Sequence, residues 1–204
     1  MTFLTDGRAD AAATFVFAHG AGGSMDSPFM TRIARGLAAN AIRVVRFEFP
    51  YMRARREGKR TGAPDRQPVL LDTWREAVRQ NAAERLFVGG KSLGGRMASM
   101  IADEVQARGL ICLGYPFHPP GNRARLRVEH LRTLVTPTLI IQGSRDPFGT
   151  PEDVASYDLS ASIRVEWLAG GDHSFKPRRG SEVSENGILD RAIELITAFI
   201  GGEH

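Results

Sequence analysis

Ser92 stands in the run Gly-Gly-Lys-Ser-Leu-Gly-Gly-Arg, residues 89–96, where the apolar stretch Leu86-Phe87-Val88 ends and a helical pattern begins. A serine on so tight a strand-to-helix turn is a nucleophile elbow. The backbone is strained there, so Gly90 and Gly94 must lack side chains that would collide across the turn. The geometry lifts Oγ above a sheet and leaves the Leu93 amide at a helix N-terminus, where a developing oxyanion would find a donor. That chemistry is acyl transfer, and it needs a histidine base and an acid to orient it.

Such partners are expected in the order acid then histidine, each in the loop after a later strand. After Thr138-Leu139-Ile140-Ile141 comes Gly143-Ser144-Arg145-Asp146-Pro147, and after Ile163 to Leu168 comes Gly170-Gly171-Asp172-His173-Ser174-Phe175. Asp146 and His173 are therefore the expected acid and base, with Asp172 as a rival acid because it adjoins His173. The loop His19-Gly20-Ala21-Gly22-Gly23 supplies glycines that let a backbone amide approach a reacting oxygen, and Ala21 is the expected second oxyanion donor. A phosphate-binding reading of that loop fails because it lacks both the lysine-bearing P-loop pattern and the dinucleotide glycine pattern. His19 precedes the nucleophile and is expected to order its loop by hydrogen bonding.

The elements that must position these residues read as six strands, 14–18, 42–49, 85–90, 109–115, 137–143 and 162–168, alternating with helical segments. Four are near-continuous apolar runs, as central parallel strands are. The second and the last alternate: Val45, Phe47 and Phe49 against Arg46 and Glu48, and Ile163, Val165 and Trp167 against Arg164 and Glu166. These two are expected at the sheet edges. The strand order is then second, first, third, fourth, fifth, sixth, and it reverses between the Ser92 elbow and the His19 loop, where ligands of open α/β sheets bind. Helical stripes follow from Met30, Ile33, Ala34 and Leu37, from Leu70, Trp74, Ala77 and Val78, and from Leu189, Ala192, Ile193, Ile196 and Phe199. Thr150-Pro151-Glu152-Asp153 starts a short capped helix.

Length and composition fit one domain over residues 1–204, with 42% hydrophobic and 25% charged residues. The single Cys112 excludes an internal disulfide, and its apolar neighbours mark it as a buried structural thiol rather than a nucleophile. Neither a signal-peptide pattern nor an 18-residue apolar span appears, so a cytoplasmic protein off the membrane is expected. No metal-ligand cluster and no cofactor motif is evident, and none is expected.

With these motifs the chain resembles the α/β-hydrolase superfamily from about Thr14 to Phe199, with dienelactone-hydrolase-like proteins as neighbours. Within it, His19-Gly-Ala-Gly-Gly, Phe49-Pro50-Tyr51-Met52, Gly90-Lys-Ser-Leu-Gly-Gly-Arg, Gly114-Tyr115-Pro116, His118-Pro119-Pro120-Gly121 and Gly143-x-x-Asp-Pro-Phe-Gly resemble a small lidless group. That group includes bacterial proteins of unassigned substrate and a subunit of an animal chromatin acetyltransferase complex. The resemblance implies Ser92, Asp146 and His173 as triad and an α/β-hydrolase fold. It implies a mainly parallel sheet of about six strands with helices on both faces and no lid domain. Dienelactone hydrolases use a cysteine nucleophile, so Ser92 shifts the expectation toward ordinary ester or thioester chemistry. The short lead before the first parallel strand leaves Phe3-Leu4-Thr5 as at most one edge strand. The alternative function is a protein-interaction scaffold with little activity.

Residues 116–136, between the fourth and fifth strands, suffice for a turn and one helix but not for an apolar cap, so a small-molecule acyl substrate is expected in an open cleft. Tyr115 and His118, which follow the fourth strand, are offered as substrate contacts. The loop 51–68 carries Arg53, Arg55, Arg56, Lys59, Arg60 and Arg66 against Glu57 and Asp65, which accounts for the whole net charge of +4. If it arches toward Ser92, Arg53 and its neighbours would favour an anionic acyl group; otherwise it is a solvated, solubilising loop. Without aromatic interleaving or a recognised module, nucleic acid is not the expected partner. Oligomeric state is not legible.

Overall fold

The computed structural model describes residues 1–59 and 62–202. Seven strands form one sheet in the order β1-β3-β2-β4-β5-β6-β7: β1 Phe3–Asp6, β2 Ala13–Ala18, β3 Ile42–Phe47, β4 Leu86–Lys91, β5 Gly109–Leu113, β6 Thr138–Gly143 and β7 Ile163–Leu168. β2 to β7 pair in parallel, and β1 runs antiparallel to β3. Alternation along each strand divides the core. Val16, Val88, Leu110, Cys112 and Ile140 face one layer with Leu70, Trp74 and Met97, while Phe15, Phe87, Ile111, Leu139 and Ile141 face the other with Ile33, Leu37, Ile193 and Ile196. The first layer is built by α3 Gln67–Gln80 and α4 Leu93–Ser99, the second by α1 Pro28–Ala39 and α6 Glu185–Gly201. All three helical stripes read from the sequence are buried where expected.

β7 is an edge strand, as its alternation implied, but β3 is not. β1 covers it, pairing Phe3 with Phe47 and Asp6 with Val44. Arg46 of β3 and Glu48 just after it are accordingly inside, 5% and 2% exposed. Arg46 donates to Asp6 Oδ2 at 2.6 Å, the Met25 carbonyl at 2.7 Å and Thr31 Oγ1 at 3.0 Å. Charge in an alternating strand marks a side chain with a partner, and the Phe3-Leu4-Thr5 segment, expected as at most one edge strand, is that edge, with Asp6 at its end as the partner of Arg46.

The basic segment 51–68 also differs from the expected loop. Pro50–Arg56 is a helix, α2, started by a proline at its first turn and held by burial of Tyr51 and Met52. Arg56 bonds Glu48 and Asp26, and Lys59 pairs with Glu57. Arg60 lies outside the described residues. Between β5 and β6 the only regular element is a 3₁₀ turn at Glu129–Leu131, so no lid covers the carboxyl ends of the strands. The short helix after β6, α5 Pro151–Val154, carries the capping box of Thr150 and Asp153. Among the described residues no helix is long and apolar enough to cross a membrane.

Candidate active site

Ser92 follows β4 and caps the start of α4 with φ 49° and ψ −111°. A side chain rarely holds that backbone conformation, which costs about 1–3 kcal/mol. The glycines around it are required by contact rather than by φ: a Cβ on Gly90 would lie 2.6 Å from the Ala18 carbonyl oxygen, and one on Gly94 would lie 2.5 Å from it. The elbow is thus pressed against the end of β2, whose continuation is the His19 loop. Strand order reverses between β2 and β4, so both loops open at the switch point.

Ser92 Oγ is 2.9 Å from His173 Nε2, and His173 Nδ1 is 2.7 Å from Asp146 Oδ2. Ionised carboxylates only accept, so Nδ1 carries the proton and Nε2 is left to accept from the serine hydroxyl. Asp146 is fully buried, and its oxygens also accept from the Phe148 amide at 2.9 Å and Gln142 Nε2 at 3.0 Å. Asp172 is turned away, its Oδ1 accepting the amides of Ser174 at 2.8 Å and Lys176 at 2.9 Å. Of the two acids it is Asp146 that meets the imidazole.

The His19 loop is fastened from two sides. His19 Nε2 accepts from the Phe49 amide at 3.2 Å, which leaves Nδ1 to donate to the Gly20 carbonyl at 2.7 Å. Burial holds this imidazole below its ordinary pKa. Tyr51 Oη donates toward the carbonyls of Gly20 and Ala21 at 3.3 and 3.2 Å. With these carbonyls drawn outward, Gly20 and Ala21 line the same cleft as Ser92. Leu93 opens α4, where no carbonyl of its own helix can accept from its amide. The cleft has a volume of about 770 Å³ and is walled by Ala21, Phe29, Met30, Phe148, His173 and Leu189. The arrangement can deprotonate a serine, hold an acyl group on it and offer amides to its oxygen.

Three sequence-derived contacts are elsewhere. Tyr115 is fully buried, its Oη donating to the Arg127 carbonyl at 3.0 Å. His118 is 1% exposed, with Nδ1 on the Pro119 carbonyl at 3.0 Å and Nε2 facing Asp153 at 3.5 Å. After β5 the chain turns at Gly114, φ 66°, and both rings are buried in the interior instead of opening to the cleft. Arg53 lines a surface depression with Met1, Val69 and Glu76, and is not among the residues that wall the cleft at Ser92. Cys112 is buried in the core, its Sγ donating to the Gly95 carbonyl at 3.5 Å, and burial raises its thiol pKa far above the usual range.

Sequence reasoning missed Gln142, Phe148, Tyr51 and Lys91. Gln142 Oε1 accepts from the Tyr115 amide at 2.7 Å while its Nε2 holds Asp146; a lone amide in the apolar run Thr-Leu-Ile-Ile-Gln was the available signal. The Phe148 ring lies 4.2 Å from that of His173. Among the described residues no group of acids, histidines and cysteines is placed to hold a metal.

Similar architectures are known. A dienelactone hydrolase from Anabaena variabilis superposes with TM-score 0.74 at 18% identity, covering 98% of this chain and 90% of that one. An α/β serine hydrolase homologue from Coxiella burnetii gives 0.71 at 20% identity, covering 97% and 89%. An α/β serine hydrolase without lid from Xanthomonas campestris gives 0.68 at 22%, covering 97% and 87%. At these identities the likeness is one of fold. The sequence itself matches the family described as alpha/beta hydrolase domain over residues 11–201, and the chain belongs to that family.

Proposed function

We propose that the protein is a serine hydrolase that cleaves a carboxylic ester or thioester through an acyl-enzyme. The reading rests on one observation: an unbroken hydrogen-bonded path from Ser92 through His173 to buried Asp146, at the floor of an open cleft. His173 Nε2 takes the hydroxyl proton as Ser92 Oγ attacks the acyl carbon. Asp146 holds the imidazole in the required tautomer and stabilises the imidazolium. The amides of Leu93 and Ala21 receive the oxyanion, in a site whose donors are already oriented by α4 and by Tyr51 and His19. His173 then returns the proton to the leaving group, and water repeats the sequence to release the acid. The open rim suits a small ester or an acyl group carried on a larger molecule.

A docking scaffold would need neither the strained serine nor the aligned base, which favours the enzyme. A fluorophosphonate probe is expected to label the wild-type protein and not Ser92→Ala. A folded wild-type protein that stays unlabelled would overturn the proposal.

A further inference from the structure

His173 lies on the segment 169–184, which has no helix or strand, yet its imidazole has to meet a serine on another element at hydrogen-bond distance. Asp172 gives the segment internal bonds, from its own side chain and through Phe175 N to the Asp172 carbonyl. Those bonds shape the loop, and its start is fastened to the turn after β6 by Arg145 N donating to the Gly171 carbonyl at 2.9 Å and Gly170 N donating to Ser144 Oγ at 2.9 Å. Among the described residues the hydrogen bond that ties the backbone of His173 itself to the sheet comes from Lys91, whose Nζ donates to the His173 carbonyl at 2.6 Å.

Lys91 is the residue before Ser92, so a short ring closes. The peptide bond joins Lys91 to Ser92, Ser92 Oγ reaches His173 Nε2, and the His173 carbonyl returns to Lys91 Nζ. The space for this is built. Gly114, at the end of β5, would place a Cβ 2.6 Å from Lys91 Nζ and 3.3 Å from both His173 Nδ1 and the His173 carbonyl oxygen. The ammonium is also flanked by the rings of Phe29 at 5.8 Å and Phe175 at 5.5 Å. Among the described residues it forms no ion pair with a carboxylate. A partly buried ammonium without an ion-pair partner is costly, and an apolar chain would fill the same space at no such cost.

We propose that Lys91 is a positioning residue, whose ammonium clamps the His173 carbonyl and so holds the imidazole in line with Ser92. This rests on the hydrolase reading for its kinetic consequence but not for the clamp. The charged groups that face Lys91 are Asp146 from the β6–α5 loop and Asp172 and His173 from the segment before α6; Arg32 of α1, Lys176 and Glu185 of α6 line the same cleft. Burial brings the ammonium down to about 8, against the opposing pull of Asp146 and Asp172. The clamp is therefore a charged donor below that pH and a weaker, neutral one above it.

The test combines kinetics with the imidazole itself. In Lys91→Met, kcat for a neutral ester is expected to fall roughly ten- to a hundredfold, as misplacement of a reacting group does, with KM near the wild-type value. A fall in wild-type kcat on the alkaline side near pH 8 should vanish in the variant. The His173 signals in histidine-labelled protein, assigned with His173→Asn, should be sharp in the wild type and broadened in Lys91→Met. If thermal unfolding shows that Lys91→Met does not fold, Lys91→Gln, whose shorter chain falls short of the carbonyl, must give the same pattern. Wild-type kcat together with unchanged imidazole signals would overturn the clamp. Lys91-dependent signals in a wild-type protein that neither labels nor turns over esters would uphold the clamp and sink the hydrolase reading instead.

Discussion

Two aspartates compete for one histidine, and adjacency in sequence is the wrong guide to which prevails. Asp172 spends its carboxylate on the amides of its own loop, whereas Asp146 is presented from the end of β6 with Gln142 and the Phe148 amide setting its orientation. A carboxylate that fixes the tautomer of the base is worth about 10⁴ in kcat. Asp146→Asn should show a loss of that order in ester turnover. Asp172→Asn should be far milder, acting through a loosened loop. The reverse ranking in steady-state kinetics would reassign the acid. Asp146, His173 and Ser92 were legible because each follows an apolar strand at a glycine turn. Gln142 and Lys91 were not, because their partners are backbone carbonyls and amides, which no side-chain pattern announces.

At the scale of elements, the segment 50–56 shows how tertiary context redirects charge. Its arginines were expected in a loop that could reach the substrate. Folded into α2, with Tyr51 and Met52 as the buried face, the segment sends Arg56 back to Glu48 and Asp26 and leaves Arg53 on a remote surface. Arg53→Gln should therefore leave the ratio of kcat/KM for a carboxylate-bearing ester and a matched neutral ester unchanged, at low and at high salt. A selective rise in KM for the anionic ester would restore the substrate role. Arg56→Gln should act on stability instead. It strips a partner from buried Glu48, a loss of about 1–2 kcal/mol once the half-exposed guanidinium is discounted for solvent screening, measurable as a lower urea midpoint.

Across the whole molecule, the layer beneath α4 contains a polar group that the proposed reaction does not use. His130 Nε2 meets Ser99 Oγ at 2.8 Å and Tyr115 Oη at 3.3 Å, and burial, aided by the Arg96 charge, pushes the imidazole down to about 4. The unfolded chain takes up that proton near its ordinary value of about 6.5, while the folded protein holds it off. Stability is then full above about pH 6.5 and declines as pH falls toward 4. Urea titrations across that window should show the decline, and His130→Gln should flatten it. An unchanged slope would mean the imidazole is not held neutral. By itself the sequence determined the alternation of strands and helices, the faces of the long helices and the placing of Ser92, Asp146 and His173 at three turns, since each is written in local periodicity and turn residues. The place of β3 inside the sheet, the burial of Arg46, Tyr115 and His118, the course of α2 and the grip of Lys91 on the His173 carbonyl were decided only by tertiary structure. Each depends on a partner dozens of residues away, and the sequence names the side chain that needs a partner without naming where the chain will bring one.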